Sequence, residues 1–117
     1  MFNVKRGEIY FVDLGFVEGP KIGKVRPCLI VQNNIGNFHS PTTIVVPITH
    51  RTKNISQPTQ VLIESHMLEG EGSVNGVIMG EHIIPISKTR IKSFSGEHLV
   101  STAMQLADNS IKTLVGL

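Results

Sequence analysis

Short apolar runs rich in β-branched residues, each closed by glycine, proline or asparagine, fill most of this chain and leave no room there for long helices. The segment Glu8-Ile9-Tyr10-Phe11-Val12-Asp13-Leu14 opens at Gly7 and predicts a strand. Residues 15–25 contain Gly15, Gly19, Pro20 and Gly23, a long solvent-facing loop. Pro27-Cys28-Leu29-Ile30-Val31-Gln32 is nearly continuous in apolar character and too short for a helix, which predicts a buried strand. Asn33-Asn34-Ile35-Gly36-Asn37 is a turn cluster. Thr42 to Thr49 predicts a third strand, which Pro47 assigns to an edge or a bulge because proline donates no backbone hydrogen bond. Thr59 to Ile63 predicts a fourth strand and Gly76 to Glu81 a fifth, continued by Ile83-Ile84-Pro85-Ile86-Ser87 toward a bend. Between them, residues 65–76 are loop with a short helical turn. From Ser95 onward the period changes: Leu99, Val100, Ala103, Met104, Ala107, Ile111, Leu114 and Val115 recur at helical spacing. The chain is therefore expected to be one mainly β domain over residues 1–117, a small antiparallel barrel with a C-terminal helix.

Charge is distributed unevenly. Residues 1–53 carry seven basic side chains against three acidic ones, and residues 54–117 carry four against six, so the net +2 divides into +4 and −2. A basic face suited to a polyanion and a chance asymmetry of solvated surface both fit this distribution. The single cysteine, Cys28, forms no intramolecular disulfide, and within an apolar run it is expected in the core rather than as a nucleophile. No apolar run approaches the ~18 residues of a membrane span, and the N-terminus, with Lys5 and Arg6, is unlike a signal peptide. A cytoplasmic protein is expected. No Cys/His set has zinc spacing and no glycine-rich phosphate loop is present, so neither metal nor cofactor is expected.

Three blocks stand in a telling order: Lys5-Arg6-Gly7-Glu8-Ile9-Tyr10-Phe11-Val12-Asp13-Leu14, then Gly23-Lys24-Val25-Arg26-Pro27-Cys28-Leu29-Ile30-Val31-Gln32-Asn33, then Phe38-His39-Ser40-Pro41-Thr42-Thr43-Ile44-Val45-Val46-Pro47-Ile48-Thr49. In sequence and spacing they resemble the MazF/PemK toxins of type II toxin–antitoxin systems, clearly over residues 5 to about 63. The resemblance implies an SH3-like barrel of the CcdB/PemK kind, a homodimer, and metal-independent cleavage of single-stranded mRNA at a short preferred sequence, which would inhibit translation. It also implies a cognate antitoxin whose disordered acidic tail occupies the RNA groove.

The family pattern carries Arg26 and Thr49 over as the catalytic pair. Cutting RNA without a metal makes the 2′-OH attack its own phosphate, leaving a 2′,3′-cyclic phosphate and a 5′-OH, while negative charge gathers on the non-bridging oxygens. A planar guanidinium can hold two of those oxygens and stabilise that charge as it develops. Arg26 also precedes a proline, which keeps its backbone extended. With a pKa above ~12, arginine is a poor general base near neutrality, so Arg26 is read as charge clamp and Thr49 as hydroxyl donor. Histidine is the obvious base; His50 follows Thr49 but reaches the same site only if the strand ends there.

Around this pair, Lys21 and Lys24 before Arg26, and Arg51 and Lys53 after Thr49, would line a basic groove or lie as solvated surface. Phe16 either stacks on a base or packs across its own loop. Asn33 and Asn37 either read bases or shape a turn. Glu81 either accepts a hydrogen bond from a base or stays solvated, and His82, where the family commonly has glutamine, either contacts RNA or is plain surface. Lys21-Ile22 replaces a common Glu-Gln pair, a change that bears on the RNA sequence preferred. The rival readings are a gyrase inhibitor of the CcdB kind, disfavoured because the chain has no tryptophan, and a barrel that binds RNA without cutting it.

Overall fold

The computed structural model describes residues 2–15, 24–50 and 57–117. Its described residues form eight strands: β1 (Glu8–Asp13), β2 (Val25–Ile30), β3 (Thr42–Thr49), β4 (Gln60–Leu62), β5 (Leu68–Gly70), β6 (Val77–Met79), β7 (Ile84–Ser87) and β8 (Ile91–Leu99). Two helices join them, α1 (Asn34–His39) and α2 (Ser101–Leu114). The strands run β4-β6-β3-β2-β1-β8-β5 in one antiparallel sheet, with β7 added at β3. The result is a strongly curled half-barrel with a C-terminal helix, the mainly β class that the apolar pattern predicts.

Both faces of the central strands are buried, which accounts for their nearly unbroken apolar runs. Strand side chains alternate between faces. Ile9, Leu29, Val46 and Ile48 enter one cluster, shared with Ala103, Met104 and Ala107 of α2. Tyr10, Val12, Cys28, Ile30 and Val45 enter a second, closed by Ile86 and Ile91. Helix α2 buries Ala103, Met104, Ala107 and Ser110, one helical stripe, against the first cluster.

Several expectations are corrected, among them the loop expected over residues 65–76, in which Leu68–Gly70 form β5. The helix expected from Ser95 begins at Ser101, because residues 91–99 form β8, which pairs with β1 and β5. Its pairing with β1 shifts register twice, and Gly96 has φ 89°, so bulges scramble the alternation that marks a strand. The turn cluster after Gln32 contains α1, capped by the Asn33 side chain, which accepts from Gly36 N–H at 2.8 Å.

Strand β3 is not an edge strand, and its register with β2 runs through Pro47 without a bulge. The Ile44 carbonyl accepts from Val31 N–H at 3.0 Å, so by alternation Ile44, Val46 and Ile48 direct their backbone groups to β2. Pro47 faces the other way, toward an edge on which β3 pairs with β7 up to Val45 and with β6 from Ile48. It sits in the gap between two partners, where no donor is needed.

Asn37 ties α1 to the sheet. It is 1% exposed. Its Nδ2 donates to the Gln32 carbonyl at 2.9 Å, and its Oδ1 accepts from Thr43 Oγ1 at 2.7 Å. Its own carbonyl receives the ammonium of Lys88, itself buried. Truncation strands the Thr43 hydroxyl and the Gln32 carbonyl inside the protein, and each such loss costs about 1–3 kcal/mol. Asn37→Ala is therefore expected to lower stability by about 3 kcal/mol in a urea titration, and a change under ~0.5 kcal/mol would contradict this account.

Candidate active site

Arg26 and Thr49 come from adjacent strands. The β2–β3 register pairs Ile30 with Val45, Leu29 with Val46 and Cys28 with Pro47. Carried two residues further, the same register sets Arg26 across from Thr49. Alternation puts both on the face that carries Cys28 and Val45. Because Val45 and Pro47 turn their backbone groups away from β2, Ile30–Val45 and Cys28–Pro47 are non-hydrogen-bonded pairs, in which facing Cα atoms approach to about 4.5 Å. Arg26 and Thr49 are both half-buried, at the end of an apolar row. On its other side Arg26 pairs with Val12 of β1.

Cys28 lies two residues along that row and is fully buried. Burial pushes its thiol up to about 12, and the nearby Arg26 guanidinium only partly opposes this. At neutral pH it is a protonated core side chain, as the apolar run predicts, and no nucleophile. Burial likewise raises the Tyr10 hydroxyl, helped by the Glu8 carboxylate that it touches at 3.1 Å.

Lys24 is exposed at the neck of the loop before Arg26. Its N–H donates to the Gly15 carbonyl at 2.8 Å, its carbonyl accepts from Leu14 N–H at 2.9 Å, and its φ is 70°, a left-handed conformation that is costly for a side-chain-bearing residue. Strand β3 ends at Thr49, so His50, exposed, is released from strand alternation. Phe16, Lys21, Arg51 and Lys53 lie outside the described residues. Asn33 is exposed at the α1 cap, whereas Asn37 is enclosed with both side-chain atoms engaged.

Glu81 and His82 stand apart from the pair, in the turn beyond β6. Val77 pairs with Thr49 at the start of β6, and Glu81 lies past the other end of that strand, beyond Met79. Its carboxylate is held by Gln60 Nε2 at 2.9 Å and Thr59 Oγ1 at 3.4 Å. Gln60 carries no motif of its own, and only the β4–β6 pairing brings it there.

A groove of about 910 Å³ opens elsewhere, between the N-terminal turn, the end of β8 and α2, lined by Arg6, Glu69, His98, Asp108 and Lys112 among others. An Arg6–Asp108 ion pair lies in its wall, and it includes neither Arg26 nor Thr49. Among the described residues no group of His, Cys, Asp and Glu could hold a metal ion, and no helix is long and apolar enough to cross a membrane.

Over residues 5–115 the sequence matches the family described as PemK-like, MazF-like toxin of type II toxin–antitoxin system. It is 39% identical over 114 residues to Endoribonuclease EndoA of Bacillus subtilis (strain 168), covering 97% of this chain and 96% of that protein. Among solved structures, MazF from Deinococcus radiodurans is similar with a TM-score of 0.82 at 18% identity, covering 100% of both chains. An endoribonuclease in complex with its cognate antitoxin, from Mycobacterial species, is similar with a TM-score of 0.77 at 24% identity, covering 97% of this chain and 96% of that one. At such identities the structural likenesses speak for the fold, and it is the fold the sequence motifs imply.

The raised Cys28 thiol has a consequence for stability. Between its ordinary value of 9.0 and its folded value of about 12, the unfolded chain releases a proton that the folded protein retains. Stability present below pH 9 is therefore lost as pH rises toward 12. Urea midpoints measured across that window should fall, with a slope approaching about 1.4 kcal/mol per pH unit from this thiol. Cys28→Ala should show a shallower slope than the parent, and an equal slope would contradict the assignment.

Proposed function

Because the chain belongs to the PemK-like, MazF-like toxin family of type II toxin–antitoxin systems, we propose that it is an endoribonuclease that cuts single-stranded mRNA without a metal ion. The observation that carries the reading is the β2–β3 register through Cys28 and Pro47, which, carried two residues further, would set Arg26 across from Thr49 on one sheet face. There a cation with a planar donor fork and a hydroxyl would share one face, at a strand end flanked by the exposed Val25 and His50.

The chemistry follows from those two groups. The 2′-oxygen of a bound nucleotide attacks the adjacent phosphorus, and the bond from phosphorus to the 5′-oxygen of the next nucleotide breaks. The 2′ proton is given up, the departing 5′-oxygen gains one, and the products carry a 2′,3′-cyclic phosphate and a 5′-OH. Two guanidinium N–H groups of Arg26 hold the non-bridging oxygens where charge accumulates. Thr49 Oγ1 donates a further hydrogen bond to the same phosphate. The buried row behind Arg26, with Cys28 neutral, keeps high-dielectric water off one side of the guanidinium and strengthens its hold on the phosphate.

The partners follow from the same premise. Structural neighbours include an endoribonuclease bound to its cognate antitoxin and MazE–MazF complexes from Deinococcus radiodurans. An antitoxin with a disordered acidic tail fits the net +4 of residues 1–53, and would compete with RNA for the same groove. We read the active form as a homodimer. Arg51 and Lys53, with Lys21, Lys24 and Phe16, are assigned to RNA binding from the sequence pattern, as are His50, Glu81 and His82.

The test is a long single-stranded RNA incubated with the protein in excess EDTA, with the ends mapped. Discrete cuts bearing 2′,3′-cyclic phosphate are expected. Arg26→Ala should slow them at least about 100-fold, and Arg26→Lys should restore little, since an ammonium does not span two oxygens. RNA left intact by folded protein would remove the enzyme reading and bring a binding or gyrase-directed toxin forward.

A further inference from the structure

Among the described residues, Glu97 of β8 is a buried carboxylate, 6% exposed, for which the chemistry above has no use. Burying a charge is costly unless its oxygens are satisfied. Glu97 Oε1 accepts a hydrogen bond from Val74 N–H at 2.8 Å. Gly72 lies so close that a Cβ there would stand 2.7 Å from the same oxygen. The segment enters this arrangement from β5, where Glu71 N–H donates to the Gly96 carbonyl at 3.1 Å and a Cβ on Gly70 would meet that carbonyl oxygen at 2.0 Å. Residues 70–74 are thus fastened onto β8, and Val74 packs against the larger core cluster.

The other end of this strap reaches the proposed catalytic pair. Gly76, two residues past Val74, has φ 126°, and a Cβ on it would lie 2.1 Å from the Thr49 carbonyl oxygen and 3.0 Å from its carbon. Only a residue without a side chain allows this approach. The Gly76 carbonyl is fixed in turn by Ile63 N–H at 2.9 Å, and the next residue, Val77, pairs with Thr49. The backbone of Thr49 therefore rests against a segment whose other end is held by Glu97.

We propose that Glu97 is a positioning residue for Thr49: by holding the Val74 N–H it fixes the 72–76 strap, and the strap fixes where the Thr49 hydroxyl points. This rests on the reading of Thr49 as a catalytic group. An anionic acceptor makes a shorter and stronger hydrogen bond to an N–H than a neutral one. Sites of this kind lose rate steeply when a reacting group moves by an ångström.

The experiment is single-turnover cleavage of an RNA with a mapped cut site, using Glu97→Ala, Glu97→Asp and Glu97→Gln, and Glu97→Ala again in a Thr49→Ala background. Glu97→Ala should lower the rate constant at saturating enzyme about 10- to 100-fold while leaving half-saturation within about twofold. Glu97→Asp keeps the charge but falls one methylene short, and should lie in between; it carries the test if the alanine variant does not fold. Glu97→Gln keeps an acceptor oxygen and should stay within about threefold of the parent. With Thr49 already removed, Glu97→Ala should cost less than about a further twofold. A folded Glu97→Ala or Glu97→Asp protein cutting at the parental rate overturns the proposal, as does an equal loss in both backgrounds, the mark of general loosening. If Thr49→Ala itself cuts at the parental rate, the catalytic reading of Thr49 is what fails.

Discussion

Strand β3 bonds to β2 along one edge and, along the other, first to β7 and then to β6. The exchange falls at Pro47, whose missing N–H faces the edge where no partner stands. A sheet strand with an ordinary donor there would need an acceptor or water inside the protein. With proline, β6 and β4 can leave the plane shared by β7 and continue on the side covered by α2. The exchange leaves the end of β3 paired with β6 at Thr49 and gives β7 the stretch of β3 from Thr42 to Val45.

The proposed function depends on where the exchange leaves the strand ends. Val45, Cys28 and Ile30 are buried, and the row they begin runs out at Arg26 and Thr49, both half-exposed. The end of that row is thus bounded by packed, apolar protein on one side and solvent on the other. A guanidinium in such a position has fewer waters to compete with its ligand, while the strand pairing limits its movement. The strap from Glu97 to Gly76 supports the same strand end from the β6 side. Catalysis by positioned donors needs this kind of scaffold more than it needs a special pKa.

Much of this could be read from the residues. The strands around Tyr10, Leu29, Val45, Val61 and Ile78 are β-branched, apolar and bounded by turn residues, so local chemistry and tertiary structure agree there. The positions of Arg26-Pro27 and Thr49 near strand ends were legible from the motif. Strand β8 was not legible: Lys92, Ser93, Ser95 and Gly96 are poor strand formers, and the strand exists because β1 and β5 bond to it. Helix α1 was hidden by Gly36 and three asparagines, residues that favour turns until Asn33 caps and Asn37 anchors. Glu97, Gln60 and Gly76 carry no local signal, because each acts through a contact with a residue more than ten positions away.

The most direct test of the account is a structure of the protein bound to a single-stranded RNA made uncleavable by a 2′-deoxy nucleotide at the mapped cut. The account predicts the scissile phosphate at the end of β2 and β3, with Arg26 guanidinium nitrogens and Thr49 Oγ1 each about 3 Å from its non-bridging oxygens. A scissile phosphate seated instead in the groove beside Arg6, His98 and Lys112, or one that touches Arg26 with Thr49 turned away, would contradict it.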